Sequence, residues 1–330
     1  MNQFIDKEYR ITYNIEDLSN KHTVLDNLKT KSFSQLTKEL TQKNSTKALN
    51  IAVELVFSGY YDAVITKIVE FYIKNINMAQ PRGVLYISSF YLNYNSRYDK
   101  KERKTKKLEL INEQFVRNFI NNLISLICGS NQRRLPILDK IAQRDFNLSK
   151  NKHRLVSKNL DLVAKYITAT DNKNIIIPLS EIITLLSGHT SDRLQKIVYW
   201  ISWLFEYDKV YHKGKLEINY RTVDGIGNKY SKDYIWIIWE MLKDSILIPD
   251  IKQYITSLEV IYKQDFTTTS RKRKLPLLIF AMSMHINPLP KLQIPIPFLP
   301  KDLLRTMQYE TLTVNIRYYA LKKKIQTMDL

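Results

Sequence analysis

Apolar side chains recur every third or fourth residue along most of this chain, the spacing that lines one face of a 3.6-residue helix. The longest such run is Leu108 to Cys128. There Leu110, Ile111, Phe115, Phe119, Ile120, Leu123 and Ile127 share one broad face, and Gly129-Ser130-Asn131 ends the run. Behind Asp62 the same period appears in Val64, Ile65, Ile68, Val69, Phe71, Tyr72 and Ile76. Asn44, Ser45 and Thr46 supply N-cap side chains for the apolar stretch 48–57, and Gly59 stands where a helix-ending glycine belongs. The pattern predicts a mainly α protein, a multi-helix bundle or array. One departure lies at 209–222, where Lys213-Gly214 separates short apolar–polar stretches, so at most a small β-hairpin is expected there.

Breakers and composition shifts divide the chain. Residues 1–33 are a polar N-terminal arm without sustained period. Residues 34–130 form a first helical domain, with close-set helices near 48–57, 62–76 and 84–92. Residues 131–177 are an irregular connector. A second helical domain, 178–286, opens at Pro178 and holds helices expected at 192–207, 230–247, 251–262 and 275–286. Residues 287–330 join a strap containing Pro288, Pro290, Pro295, Pro297 and Pro300 to a C-terminal helix at 301–325. That proline density excludes helix and favours extended, polyproline-like chain.

No catalytic motif accompanies this helical pattern. Seven glycines are too scattered for a phosphate-binding loop, and Gly225-Ile226-Gly227 reads as a turn rather than a dinucleotide motif. His22, His153, His189, His212 and His285 stand far apart in sequence, and Cys128 is the only cysteine. A cysteine-based zinc site is therefore excluded, and no metal or cofactor is expected. Cys128 lies in an apolar run and reads as a buried thiol. The chain is not expected to be an enzyme; a concave pocket gathering acids or histidines would mark that alternative. Residues 1–10 carry acids and no apolar core of a signal peptide, and no apolar run reaches membrane-spanning length. The expectation is no membrane insertion and an intracellular location.

All four tryptophans fall in two Trp-x-x-Trp pairs, Trp200 with Trp203 and Trp236 with Trp239. Residues three apart share a helix face. Their flanks are also apolar, so the pairs are expected to be buried and to pack two helices together rather than to form a base-stacking platform. Glu206 and Glu240, which follow the pairs, are candidate partners for buried donors.

The balance of charge points outward. Lys and Arg number 51 against 32 Asp and Glu, a net charge of +19. Lysine-rich drift in an AT-rich genome accounts for such an excess, and so does a selected polyanion surface. Three clusters concentrate it: Arg97, Lys100, Lys101, Arg103, Lys104, Lys106 and Lys107; Arg271, Lys272, Arg273 and Lys274; and Arg317 with Lys322, Lys323 and Lys324. Phosphate contacts need positive donors in no particular order, so these are the candidate nucleic-acid-binding residues. Tyr91, Tyr94, Tyr98, Tyr318 and Tyr319 stand near two of the clusters and could add stacking.

Two resemblances frame these features. Phe33-Ser34-Gln35-Leu36-Thr37-Lys38-Glu39-Leu40, then Lys47-Ala48-Leu49, Glu54-Leu55-Val56-Phe57-Ser58-Gly59, Asp62, Ile65, Ile68 and Ala79-Gln80-Pro81 resemble the C-terminal helical collar of clamp-loader-like AAA+ proteins. In that family the region mediates oligomer formation. The ATPase module has no counterpart here, so only assembly is implied. Val53 to Tyr60, Tyr199 to Glu206, Asp233 to Glu240 and Arg271 to Leu275 resemble a protein group of nucleocytoplasmic large DNA viruses that carries no assigned biochemistry. This implies a viral protein acting in host cytoplasm or the viral factory, or carried in the virion. The expected function is a non-enzymatic helical assembly protein that binds nucleic acid or a nucleoprotein complex, with viral proteins or further copies of itself as partners. The alternative is a virion structural or core component without a replication role.

Overall fold

The computed structural model describes residues 9–12, 21–149, 151–288 and 301–328. Fourteen α-helices and no β-strand occur among them. The chain divides into two compact units, 1–133 with 293–330, and 134–292. The 131–177 connector and the 178–286 helices thus fall almost wholly in one unit, while the C-terminal helix belongs to the other. The proline strap lies outside the described residues, except for Pro288.

The first unit contains α1 (Lys29–Thr41), α2 (Ser45–Phe57), α3 (Tyr61–Asn75), α4 (Gly83–Arg97), α5 (Glu102–Thr105), α6 (Lys107–Ile111) and α7 (Gln114–Gly129). Asn44 caps α2, its side chain accepting the Lys47 N–H at 3.3 Å. Gly59, at φ 79°, ends it: its N–H reaches Val56 O while the Tyr60 N–H reaches Leu55 O. This is the left-handed closure that glycine allows without strain. Helix α7 is the centre of the unit, packing against α1, α2 and α3. Phe119, Ile120, Leu123, Ile124 and Ile127 are buried along it.

The single helix expected from Leu108 to Cys128 is broken. Asn112 leaves the helical ladder to bond the extended segment 9–12, its Oδ1 accepting Ile11 N–H and its Nδ2 donating to Ile11 O, both at 2.9 Å. Part of the N-terminal arm is therefore bound to the helical body. The C-terminal helix, here numbered α8 (Lys301–Met328), lies against α7 and α2 and buries Val314 and Tyr318.

The second unit contains α9 (Asp161–Ala164), α10 (Ile176–Ser187), α11 (Arg193–His212), α12 (Ile235–Asp244), α13 (Pro249–Lys263) and α14 (Arg271–Ile286). Gly188 stops α10, which packs on α11, and α13 packs on α14. No hairpin forms at 209–222. Val210, Tyr211 and His212 instead continue α11, where Tyr207 and Tyr211 line up beside Phe146 at centroid distances of 5.7 and 5.5 Å. Residue 217 makes one isolated bridge to Asp233, and Ile218 N–H bonds Lys232 O.

All four tryptophans are buried. They do not share one seam. Trp203 stacks with Tyr207 at 5.0 Å and donates Nε1–H to Asp145 O. Trp236 and Trp239 meet Tyr262 at 5.8 and 5.2 Å, and Trp236 also meets Phe266. Each pair builds its own aromatic cluster. Glu240 is exposed and half-buried Glu206 pairs with Lys209 and Lys272, so neither bonds a buried donor.

Candidate nucleic-acid interface

The 97–107 cluster is a turn built to hold its lysines outward. Helix α4 ends at Arg97, and Tyr98 turns inward, its hydroxyl donating to Glu113 Oε1 at 2.9 Å. The Asp99 carboxylate accepts the N–H groups of Lys101 and Glu102 at 2.7 and 2.8 Å, while Glu102 accepts the Asp99 N–H at 3.0 Å. These backbone donors hold both carboxyls below their usual range. The reciprocal bonds open α5 as a capping box does.

Arg103 is buried. Its backbone carbonyl accepts the Tyr61 hydroxyl, and its guanidinium lies 5.3 Å from the Tyr94 ring centre. It anchors the turn from within and is withdrawn from the candidate phosphate donors. Arg97, Lys100, Lys101, Lys104, Lys106 and Lys107 are exposed. Lys106 pairs with Glu102 at 3.0 Å and Arg97 with Glu113 at 3.9 Å. Exposed pairs of this kind are screened by water and contribute little to stability, so a phosphate exchanges for the carboxylate at little cost.

The 271–274 run is not the surface tetrad that its sequence suggests. Arg271 starts α14 on its inward face, only 4% exposed. Its Nη1 donates to Asp233 Oδ1 at 2.9 Å, its Nη2 to Asp208 Oδ2, and the guanidinium stands 4.5 Å from the Tyr234 ring centre. Burial raises the Asp233 carboxyl, an effect that Arg271 partly offsets. Half-buried Lys274 donates to the carbonyls of Tyr262 and Gln264. Lys272 and Arg273 alone are exposed.

In the third cluster Lys323 and Lys324 are exposed, whereas Arg317 and Lys322 are half-buried. Lys323 lies 4.9 Å from the Tyr319 ring centre. Tyr91, Tyr94, Tyr98 and Tyr318 are buried and offer no stacking face; Tyr319 is half-buried. Phe90 stacks between Phe119 and Tyr94, which explains why tyrosines so close to a lysine run point inward.

The positive excess is shared between the units, 26 basic against 16 acidic residues in the first and 25 against 16 in the second. What sets the first unit apart is arrangement, since both the 97–107 turn and the α8 lysines belong to it. Arg10, placed by the sequence in the polar arm, is also exposed and lines a groove with Thr105, Lys106 and Asn112.

The second unit has a cleft of about 370 Å³ holding Asp139, Asp145 and His153. Asp139 accepts from Gln195 Nε2 at 3.4 Å and Asp145 from the Ala142 N–H at 3.0 Å. Among the described residues no group of three metal-ligating side chains occurs, and no helix is long and apolar enough to cross a membrane. No family model, curated protein or solved structure matches this chain.

Proposed function

We propose that this chain is a helical, non-enzymatic assembly protein that binds nucleic acid, naked or within nucleoprotein, through the exposed cations of residues 97–107. The observation that carries the reading is their setting. Six exposed cations occur within one turn whose shape is fixed from beneath by Arg103, Tyr98 and the Asp99–Glu102 bonds. A braced cationic turn meets phosphates without ordering a flexible loop first, which reduces the entropy lost on binding. Lysine and arginine contacts to phosphate carry no base information, so contacts to the nucleic-acid backbone dominate and sequence preference is small. The sequence resemblances add the setting of a large DNA virus. Packing against a viral genome within a particle would use the same cations.

The test is charge reversal. Lys101→Glu combined with Lys104→Glu should lower affinity for a random duplex and a random single strand at least tenfold at low salt. The same reversal at Lys272 and Arg273 should have a smaller effect. Equal losses from both pairs would point to diffuse charge rather than to this turn.

A further inference from the structure

Beside the lysine turn lies a groove of about 680 Å³, within the range of small-ligand sites. One wall is the extended segment Arg10–Thr12; the other is Thr105 to Asn112, and all of it belongs to the first unit. Leu108, 37% exposed, and the covered Ile11 give the groove an apolar lining. Arg10 and Lys106 supply positive charge at its rim, with Glu109 as the one carboxylate.

A second feature lies behind it. Arg117 is fully buried, yet among the described residues it faces no carboxylate. Its guanidinium donates to four neutral oxygens: Ile111 O at 2.8 Å, Tyr9 O at 3.0 Å, Asn315 Oδ1 at 3.1 Å and Asn112 Oδ1 at 2.8 Å. Asn112 and the segment Arg10–Thr12, which follows Tyr9, are also groove walls. Burial and the charge of Arg10 lower the Arg117 pKa to about 10, so it stays cationic at neutral pH. A fixed charge in a poorly screened interior projects its field into the adjacent cleft.

The geometry points to this groove as the seat of a single nucleotide of a single-stranded nucleic acid, the base against Leu108 and the phosphate between Arg10 and Lys106. The inference rests on the nucleic-acid reading above and narrows it. A duplex keeps its bases stacked and offers the protein mainly phosphates, which the lysine turn alone can meet. A single strand exposes a base face that gains from leaving water in an apolar groove. Positive charge on the rim and behind the wall complements the linking phosphate. Arg10 acts by direct contact, whereas Arg117 positions the walls.

Binding of end-labelled random 12-nucleotide DNA and RNA strands, and of the matching duplex, to the full chain tests this by fluorescence anisotropy. The parent should prefer single strands, and the DNA and RNA arms show which sugar the groove accepts. Arg10→Glu and Leu108→Gln should each lower single-strand affinity about tenfold and leave duplex affinity within about twofold. Lys101→Glu with Lys104→Glu should lower both. A thiothymidine-containing strand irradiated with the unaltered protein should crosslink within residues 10–12 or 105–112, which keeps the test independent of variant folding. Crosslinks elsewhere, or equal single-strand and duplex affinity indifferent to Arg10 and Leu108, overturn the groove while leaving the lysine turn standing. Failure of the parent to bind any strand or duplex overturns both.

Discussion

Replacing Arg271 by Met separates a surface reading of the 271–274 run from a buried one. Arg271 is 4% exposed, and its guanidinium bonds Asp208 and Asp233 and lies over the rings of Phe205 and Tyr234 at 4.8 and 4.5 Å. Met fills similar volume but leaves two buried carboxylates without their cation. Breaking a buried pair in this way costs about 3–5 kcal/mol, mostly because an uncompensated charge remains. Lys272→Glu and Arg273→Glu, on exposed positions, should change stability by less than about 0.5 kcal/mol. Urea unfolding of the full chain, followed by tryptophan fluorescence, measures all three. The loss should also depend on pH. Burial holds the Asp233 carboxyl above its ordinary value of 3.8, and Arg271 is what offsets that rise. Without the guanidinium the folded value climbs further. The ionised carboxylate then destabilises the fold fully above that raised value, and protonation relieves the penalty as pH falls toward the ordinary value. The deficit of Arg271→Met should therefore shrink between neutral pH and about pH 4. A deficit below about 1 kcal/mol, or one that is the same at both pH values, would refute the buried-triad reading.

Two further outcomes follow from burial. Trp203→Ala should cost about 3–5 kcal/mol in the same urea assay, since the indole packs against Phe146 and Tyr207 and its N–H bonds Asp145 O; a variant that unfolds with the parent's midpoint would count against it. Burial pushes the Cys128 thiol up to about 11, so a thiol reagent at pH 8 should label the native chain far more slowly than the chain in denaturant, and equal rates would contradict the burial.

The helical architecture was legible because apolar period is a property of short windows, and the caps at Asn44 and Gly59 are local devices as well. Burial of the tryptophans was legible for the same reason, from their apolar flanks. Their separation into two clusters was not, because it depends on Phe146, Tyr262 and Phe266, which neighbour them in space and not in sequence. The hairpin expectation failed where Tyr207 and Tyr211 extend an aromatic row along α11, a tertiary contact overriding the local Lys-Gly turn signal.

Charge was the hardest layer to read. Arg103, Arg117 and Arg271 all sit inside, and a run of basic letters does not show which one faces inward. A usable signal existed for Arg271, which stands four residues before buried Leu275 and so shares its helix face. Arg117 likewise stands three before Ile120 and seven before Ile124, both buried. At Arg103 and Arg271 the arginine, rather than a neighbouring lysine, took the inward position. Its planar fork can satisfy several oxygens at once. The groove joins residues 10–12 to 105–112 through Asn112, a long-range contact with no local trace in the sequence.

The most direct test of a nucleic-acid-binding turn is a salt titration of the unaltered chain with a random single strand, plotted as log affinity against log salt. Engagement of three to six of the exposed cations at 97–107 and its groove should give a slope of about −2 to −4, from counterion release at roughly 0.7 per contact. Lys101→Glu with Lys104→Glu should flatten it. A slope near zero, or no detectable binding at low salt, would contradict the proposed function.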